Sequence, residues 1–520
     1  SSVYVGIGKT DVWSNATSDL TDASTPFTPQ DRLDDLHEAY QNMIGMKKIA
    51  SSDISHIVPR HTWATGTEYT AWDSDDSAIY DKEFYIITSE FKVYKCIAVG
   101  ASDSIVEPTH INTDPTAESD GYFWKYLYTL TVTDSEKFLT ISYMPVPTQQ
   151  MPTTSIVNGA ISGASVVVID AANEYIKTGM LITGTGVTTN PVPTVTAIST
   201  NGLSITMSAD QTIGDDVELT FGRLADTDIN HANQTAQMNS LDSSTAAGIE
   251  RIEVTAGGSN YDDDDVFEVA IAGDGTGATV VDTGVTISSG AITAIAVNAK
   301  GTDYTVADIT ITHNNASGGT AGSGATARAV IAPPDGHGVD PIKELGAFYV
   351  AVNSQLSGSE GGDLTIGNDF RQISLIKKPQ NFGTTVTSTA STLRARRSLV
   401  LDSGASVSGF AVDQVIRGSS SSAEAYLVEI DTANKVLYYY QNSKTGYEPF
   451  VSGDTITGTL PSGGSAILNT TSGTSWYGQA TNDFGPEVRM NSGQLLFLEN
   501  RAPINRSSSQ IEDIKLIIEF

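Results

Sequence analysis

Aromatic side chains are spread very unevenly along this 520-residue chain, and that unevenness limits what it can fold into. Residues 1–150 are rich in Tyr, Trp and Phe. Over 153–332 aromatics nearly vanish, and Gly, Ala, Thr, Val and Ile take over in short alternating runs broken by Gly or Asn. Period-two alternation between turn residues is the pattern of half-buried strands. Runs such as Ser165–Ile169, Thr194–Ile198 and Leu203–Met207 therefore predict a small all-β module over 153–222. Richer composition returns at 335–383, a Gly/Ser-flanked β stretch fills 384–475, and 476–520 closes the chain. The pattern predicts a mainly β protein: an α+β host domain with few helices and a β-sandwich-like core. The host is discontinuous (1–150, 335–383 and 476–520) and carries inserted all-β modules at 153–222, 246–332 and 384–475. Insertions into exposed loops cost little loop entropy, so this organisation is physically reasonable.

Within 246–332 the sequence repeats itself. Ile249–Tyr261 (IERIEVTAGGSNY) aligns with Ile292–Tyr304 (ITAIAVNAKGTDY) at an offset of 43 residues, and Gly275-Thr-Gly-Ala-Thr matches Gly322-Ser-Gly-Ala-Thr. Two copies are too few for a solenoid but suffice for a duplicated unit whose halves cover each other. In 384–475, Phe410–Ile416 and Phe450–Ile456 share a Phe-x-x-x-Gln/Asp-x-Ile rhythm, with Val436–Tyr440 between them; a small barrel or sandwich is expected. A polar linker is read over 223–245. In the first segment, strands are expected at Val3–Ile7, Phe84–Ile87, Val93–Val99 and Tyr122–Val132. A helix is expected over Thr28–Gly45, with Thr28 as cap, Pro29 at the first position and Gly45 at the C-terminal left-handed position. Further strands are read at Leu345–Val352 and Phe370–Ile376.

Charge and cysteine usage exclude several functions. Sixty-one acidic against 29 basic residues give a net charge of −32, which repels nucleic-acid phosphates and anionic membrane surfaces. Cys96 is the only cysteine, so no intrachain disulfide and no thiolate metal cluster can form. No apolar run approaches the ~18 residues of a spanning helix, and the first residues lack a secretion-signal pattern. No membrane span, nucleic acid or cofactor is expected.

Motif-like stretches point to turns rather than chemistry. Gly6-Ile-Gly8-Lys9-Thr10 imitates the end of a phosphate-binding loop, but the residues before it are strand-like and the required earlier glycine is missing. Gly273-Asp-Gly-Thr-Gly-Ala278 opens no helix. His56 and His61 flank Arg60 without metal-ligand spacing. Asp262, Asp263, Asp264 and Asp265 are a weak cation candidate, because a calcium loop spaces its ligands and this run is contiguous. Arg371, Glu499 and Arg501 lie in or beside apolar strands and read as register-fixing ion pairs. Arg60, Trp13, Trp63, Trp124 and Trp476 read as core or interface anchors.

Six stretches carry a further resemblance. They are Tyr4–Ser14 (YVGIGKTDVWS), Ile57–Trp63 (IVPRHTW), Val93-Tyr-Lys-Cys96, Asp120–Leu127 (DGYFWKYL), Asp369–Ser374 (DFRQIS), and the end of the chain. In that end, Leu495–Leu498 is followed by Glu499-Asn-Arg-Ala-Pro-Ile504 and Ile514–Phe520. In this order they resemble the small wedge protein of T4-like contractile-tail baseplates, the gene-eight product family. The resemblance covers a little under half the chain and leaves the inserts unmatched. It implies a C-terminal strand–corner–strand ending and a non-enzymatic structural subunit of the phage baseplate wedge, made in the host cytoplasm and located in the virion tail. It also implies a homodimer in contact with other wedge proteins. The alternatives are a glycan- or receptor-binding tail module, for which Tyr438-Tyr-Tyr440 and Tyr447 are the sequence candidates, and a tail polysaccharide depolymerase.

Overall fold

The computed structural model describes residues 2–13, 26–147, 153–173, 175–189, 191–222, 246–262, 264–315, 318, 320–334, 336–459, 464–467 and 486–519. The protein is mainly β, 46% strand against 7% helix, with three helices among the described residues. Its sheets are built from antiparallel pairs. The chain divides into two compact units, residues 1–54 with 352–517, and residues 55–351 with 518–520. The division falls inside the stretch 1–150 that the sequence reads as one piece. The predicted linker 223–245 and Trp476 lie outside the described residues.

In the first unit a five-stranded sheet runs in the order Thr392–Arg394, Met43–Lys48, Val3–Gly8, Asp369–Lys377, Gln494–Asn505. Tyr4, Met43, Met46, Ile376, Leu393 and Val488 fill one face of it. The opening glycines are required by packing. A Cβ on Gly6 would stand 2.5 Å from the Ser374 hydroxyl, and one on Gly8 2.5 Å from the Asn42 carbonyl oxygen. The strand runs through Gly8, so the Gly-x-Gly-Lys stretch is a strand exit.

The expected helix over Thr28–Gly45 is shorter, Leu33–Gln41, and Arg32 rather than Thr28 occupies the cap position. The chain leaves the helix at Asn42 and enters the sheet at Met43. Gly45 is a strand residue, not a helix terminus. Its missing Cβ leaves room for the Leu364 side chain and the Asp363 carbonyl, which a Cβ would meet at 2.5 and 2.7 Å. Sheet pairing on both sides of Met43–Lys48 overrides the helical spacing of Met43 and Ile44.

The C-terminal ending also differs from expectation. Glu499–Ile504 is not a corner; it lies inside the continuous strand Gln494–Asn505. Gln372 pairs with Asn500 and Phe370 with Ile504, so Arg371 alone faces Arg501, Ala502 and Pro503 across a bulge. A proline, having no N–H to donate, fits where the ladder slips. Strand Ile511–Glu519 follows.

The 384–475 stretch contributes a six-stranded sheet in the order Arg397–Val400, Val436–Tyr440, Glu424–Asp431, Val415–Gly418, Thr455–Gly458, Ser465–Ile467. Phe410, Ile416, Phe450 and Ile456, the four residues of the sequence rhythm, share its core. The two copies face each other: Ile416 pairs with Gly458, Arg417 with Thr457 and Gly418 with Ile456. A Cβ on Gly458 would collide with Gln414, and one on Gly418 with Asp454. The repeat is thus a local two-fold in which each half's polar residue sits under the other half's glycine.

In the second unit, strands Tyr85–Ile87, Lys92–Ala98, Phe123–Thr129 and Thr116–Ala117 form one sheet. The expected strand Tyr122–Val132 stops at Thr129. The Thr131 hydroxyl then accepts the Asp134 N–H and starts helix Val132–Phe138. The expected strand Leu345–Val352 begins later, at Tyr349, after a short helix Pro341–Glu344. The 153–222 module is two three-stranded sheets closed on a core of its own residues, from Val157 to Phe221.

In 246–332 a six-stranded sheet and the pair Thr276–Thr279/Ala299–Thr302 enclose the duplicated core. Here too the copies are interlocked. The Tyr261 ring covers Gly322, and its hydroxyl accepts the Ala325 N–H; the Tyr304 ring covers Gly275, and its hydroxyl accepts the Ala278 N–H. Gly258 and Gly301 hold matching positive φ values of 65° and 66° beside the partner copy's backbone.

Candidate functional site

The predicted residues fall into the two units, each with its own buried charge cluster. In the first unit, strand Val3–Gly8 delivers Lys9, Thr10, Asp11 and Trp13 to one end of the sheet. Lys9 can turn there because it takes a positive φ of 59°. Asp11 is the hub. Its carboxylate accepts from Lys9 Nζ (3.0 Å), Lys444 Nζ (2.8 Å) and the Tyr440 hydroxyl (2.8 Å). Its own N–H donates to the Tyr440 oxygen at 3.0 Å. Burial alone would raise the Asp11 carboxyl, but the two ammonium groups win and hold it below the usual carboxylate range. Burial also lowers the Lys9 ammonium, opposed by Asp11.

Trp13 caps this cluster. Its ring lies 4.9 Å from Lys9 Nζ, its indole N–H donates to the Arg501 carbonyl at 2.7 Å, and Phe27 packs edge-on at 5.5 Å. Arg371 donates to the Thr10 carbonyl at 2.6 Å and reaches Asp369 at 3.3 Å. Glu499 and Arg501 pair with each other at 3.2 Å on the surface side of their strand. The structure therefore gathers Trp13, Arg371 and Arg501 around the end of the first strand, through backbone carbonyls more than through the carboxylate pairing that their charges suggest. With Asp11's oxygens taken by Lys9, Lys444 and Tyr440, the cluster acts as a fastening between the first strand and the 384–475 module.

That fastening corrects the reading of Tyr438-Tyr-Tyr440 as a displayed aromatic patch, because all three are buried. Tyr438 lies under the Arg396 guanidinium at 4.9 Å, Tyr439 packs edge-on against Phe450 at 5.3 Å, and Tyr440 holds Asp11. Only Tyr447 is exposed.

Arg396 and Arg506, both buried, escaped the sequence reading. Arg396 donates to the Asp363 and Gly362 carbonyls, both at 2.7 Å, and pairs with Glu429 at 2.5 Å. Arg506 donates to the Thr365 and Gly358 carbonyls at 2.8 and 2.6 Å and pairs with Glu512 at 2.9 Å. The only trace of either in the sequence is a charge adjoining an apolar strand.

In the second unit, Arg60 donates to Thr62 and to the Thr140 carbonyl, both at 3.0 Å, and Trp63 donates to Ser104 at 3.2 Å. Trp124 is fully buried, stacked on Tyr122 at 5.9 Å and edge-on to Tyr69 at 5.4 Å. His61 packs edge-on against Tyr85. Trp124 is a core residue of the Lys92–Ala98 and Phe123–Thr129 sheet, while Arg60, His61 and Trp63 are half-buried.

The second cluster, also missed, is buried deeper. Lys95 is fully enclosed, ion-paired to Glu344, and lies 4.8 Å from the Trp72 ring. Glu344 also accepts the Gly338 N–H. His337 is equally enclosed, edge-on to Trp72, with Nε2 3.0 Å from Glu250. Lys300 reaches Glu250 at 2.9 Å. Burial, with Lys95 nearby, pushes the His337 imidazole below its ordinary range. Burial would raise Glu250, but the His337 and Lys300 contacts overcome it and hold its carboxyl at about 2.

Asp262, Asp264 and Asp265 close their own turn. Asp262 N–H donates to Asp265, Asp264 N–H donates to Asp262, and Asp265 stands 3.3 Å from His313. Asp263 lies outside the described residues. Among the described residues no group of three or more His, Cys, Asp or Glu side chains is placed to hold a metal ion. None of the described helices is long and apolar enough to cross a membrane. No family model matches the chain, and comparison with curated proteins returns no relative.

Proposed function

We propose that this chain is a structural subunit of the baseplate wedge of a contractile-tail bacteriophage, working as a homodimer that joins neighbouring wedge proteins in the virion tail. Its role is mechanical rather than catalytic: a β body holds its neighbours in one arrangement until host attachment triggers contraction. The observation that carries this reading is the placement of three resembling stretches. The opening strand, the Phe-Arg-Gln-Ile-Ser strand and the Glu-Asn-Arg-x-Pro-Ile strand are consecutive neighbours in one sheet. Distant segments that match in order and also pack side by side support a shared scaffold. The buried clusters around Asp11 and Lys95 fit the same role, since enclosed ion pairs fix one geometry more than they add stability.

Size-exclusion chromatography with light scattering tests the proposal. A stable dimer that co-purifies with co-expressed wedge proteins of the same phage is the expected result. A trimer, or release of new reducing ends from host polysaccharide, overturns it in favour of a fibre or depolymerase.

A further inference from the structure

The 153–222 module carries an open cleft of about 990 Å³ between strand Thr153–Ile156, the loop that includes Asp170–Asn173 and Tyr175–Lys177, and the turn at Thr200–Gly202. That volume is at the upper end of the ~300–1,000 Å³ of small-ligand sites. Tyr175, one of the few aromatics of this module, lines it with 61% of its surface exposed, beside Ile156 at 44%. Left in water, these two give up the burial that Val157, Ile176, Leu219 and Phe221 gain in the module's core.

The loop presenting Tyr175 is held in place. Asn173 Nδ2 donates to the Thr153 hydroxyl (2.8 Å), the Ser155 hydroxyl (3.0 Å) and the Thr154 carbonyl (3.1 Å), while its Oδ1 accepts the Tyr175 N–H at 3.0 Å. The amide nitrogen locks the loop onto the strand and the oxygen holds the Tyr175 N–H, so the Tyr175 backbone is set before any ligand arrives. Opposite, Asn201 has its carbonyl oxygen fixed by the Ser199 hydroxyl at 2.6 Å and the Leu203 N–H at 3.2 Å. Its amide nitrogen, the Thr200 hydroxyl and the Asp170 carboxylate have no hydrogen-bond partner among the described residues, and all three residues line the cleft.

We infer that this cleft is a carbohydrate site for an uncharged glycan. A pyranose ring has an apolar C–H face and a rim of hydroxyls that both donate and accept. The Tyr175 ring suits the first. The second is met by a carboxylate that accepts, an amide that donates and a hydroxyl that does either. Asp170 and Lys177 place one charge of each sign at the cleft, and the chain's net charge of −32 selects against uronate, sialate and phosphate sugars. The aromatic that lines a cleft is thus Tyr175, in the module whose sequence is poorest in aromatics, while in 384–475 Tyr438–Tyr440 are buried and Tyr447 is exposed. The inference does not rest on the wedge reading.

The test is titration calorimetry of the full chain with a panel of neutral oligosaccharides (gluco-, manno-, galacto- and N-acetylglucosamine series) and with polygalacturonate as the charged probe. At least one neutral series should bind with micromolar to millimolar Kd. Tyr175→Ala and Asp170→Asn should each weaken it about tenfold or more. Tyr175→Phe should retain most of the affinity, and Tyr447→Ala, an exposed tyrosine in the other unit, should leave it unchanged. Unchanged thermal unfolding of the variants separates loss of binding from loss of fold. No binding to any neutral series, binding to polygalacturonate alone, or neutral binding indifferent to both Tyr175→Ala and Asp170→Asn overturns the inference.

Discussion

At the scale of single residues, the charges that matter most are those no solvent reaches. Burial lowers the Lys95 ammonium inside the second unit, and Glu344, ion-paired to it, opposes that with the Trp72 ring alongside. Removing one member of a buried pair strands the other, at a cost of about 3–5 kcal/mol, whereas replacing both with apolar residues is often near neutral. Glu344→Gln should therefore destabilise the unit by about 3 kcal/mol. The double variant Lys95→Met/Glu344→Gln should recover most of the loss, as read by denaturant unfolding and by hydrogen exchange of Lys92–Ala98. The same cluster fixes a pH response. His337 is held below the ordinary histidine range, so the folded state refuses a proton that the unfolded chain accepts. Its contribution is full above the ordinary value near pH 6.5 and is lost as pH falls from there towards the folded value. Glu250, held at about 2, adds a second loss on the acid side of its unfolded value near 4.5. Stability should decline from pH 7 to 5, and His337→Gln should flatten that slope and also shrink the drop below pH 4.5, because His337 is one of the two contacts that hold Glu250 down. A slope unchanged by His337→Gln would assign the decline to other groups.

At the scale of elements, strands were legible and their ends were not. Val436–Tyr440 emerges within the bounds that the sequence suggests, because alternation and flanking turns are local signals. The helix ends at Gln41 because Gly45 is needed beside Leu364 and Asp363, residues more than three hundred positions away. Spacing cannot reveal such a demand. For the same reason the tyrosines of 438–440 stand as glycan-binding candidates in the sequence, since Arg396, Phe450 and Asp11 cover them from elsewhere in the chain. The repeats lie between these cases. Their existence is plain in the sequence; their exchange of tyrosine over glycine is not. That exchange makes a symmetric prediction. A methyl on Gly275 would stand 2.4 Å from the Tyr304 ring, and one on Gly322 2.2 Å from the Tyr261 ring. Gly275→Ala and Gly322→Ala should cost similar amounts, about 1–3 kcal/mol each from overpacking. In a double-mutant cycle Tyr261→Ala should abolish the penalty of Gly322→Ala, and Tyr304→Ala should relieve only part of that of Gly275→Ala, whose Cβ also meets the Thr302 carbonyl at 2.6 Å. Additive effects would mean that the ring–glycine contact is not the cause.

At the scale of the whole molecule, the inserts are attached in two different ways, and the difference is testable. The 153–222 module begins and ends in one sheet: Thr153 pairs with Phe221, so its entry and exit strands lie side by side. Its core is made of its own residues. Replacing 153–222 by a short Gly-Ser linker closes a gap that is already closed, at little entropic cost. The 384–475 stretch is bound into its unit. Thr392–Arg394 is an edge strand of the five-stranded sheet, and Tyr440 and Lys444 complete the shell around Asp11. Excising 398–459 would take Tyr440 and Lys444 from Asp11 and leave it paired with Lys9 alone, in addition to the loss of core contacts. Deletion of 153–222 should give a protein that unfolds cooperatively near the parent temperature and keeps the parent's oligomeric state by light scattering. Deletion of 398–459 should lower the unfolding temperature of the remaining first unit and raise proteolysis within residues 2–13. If the two deletions behave alike, Asp11 is not the fastening that the geometry describes, and the second module is no more tightly held than the first.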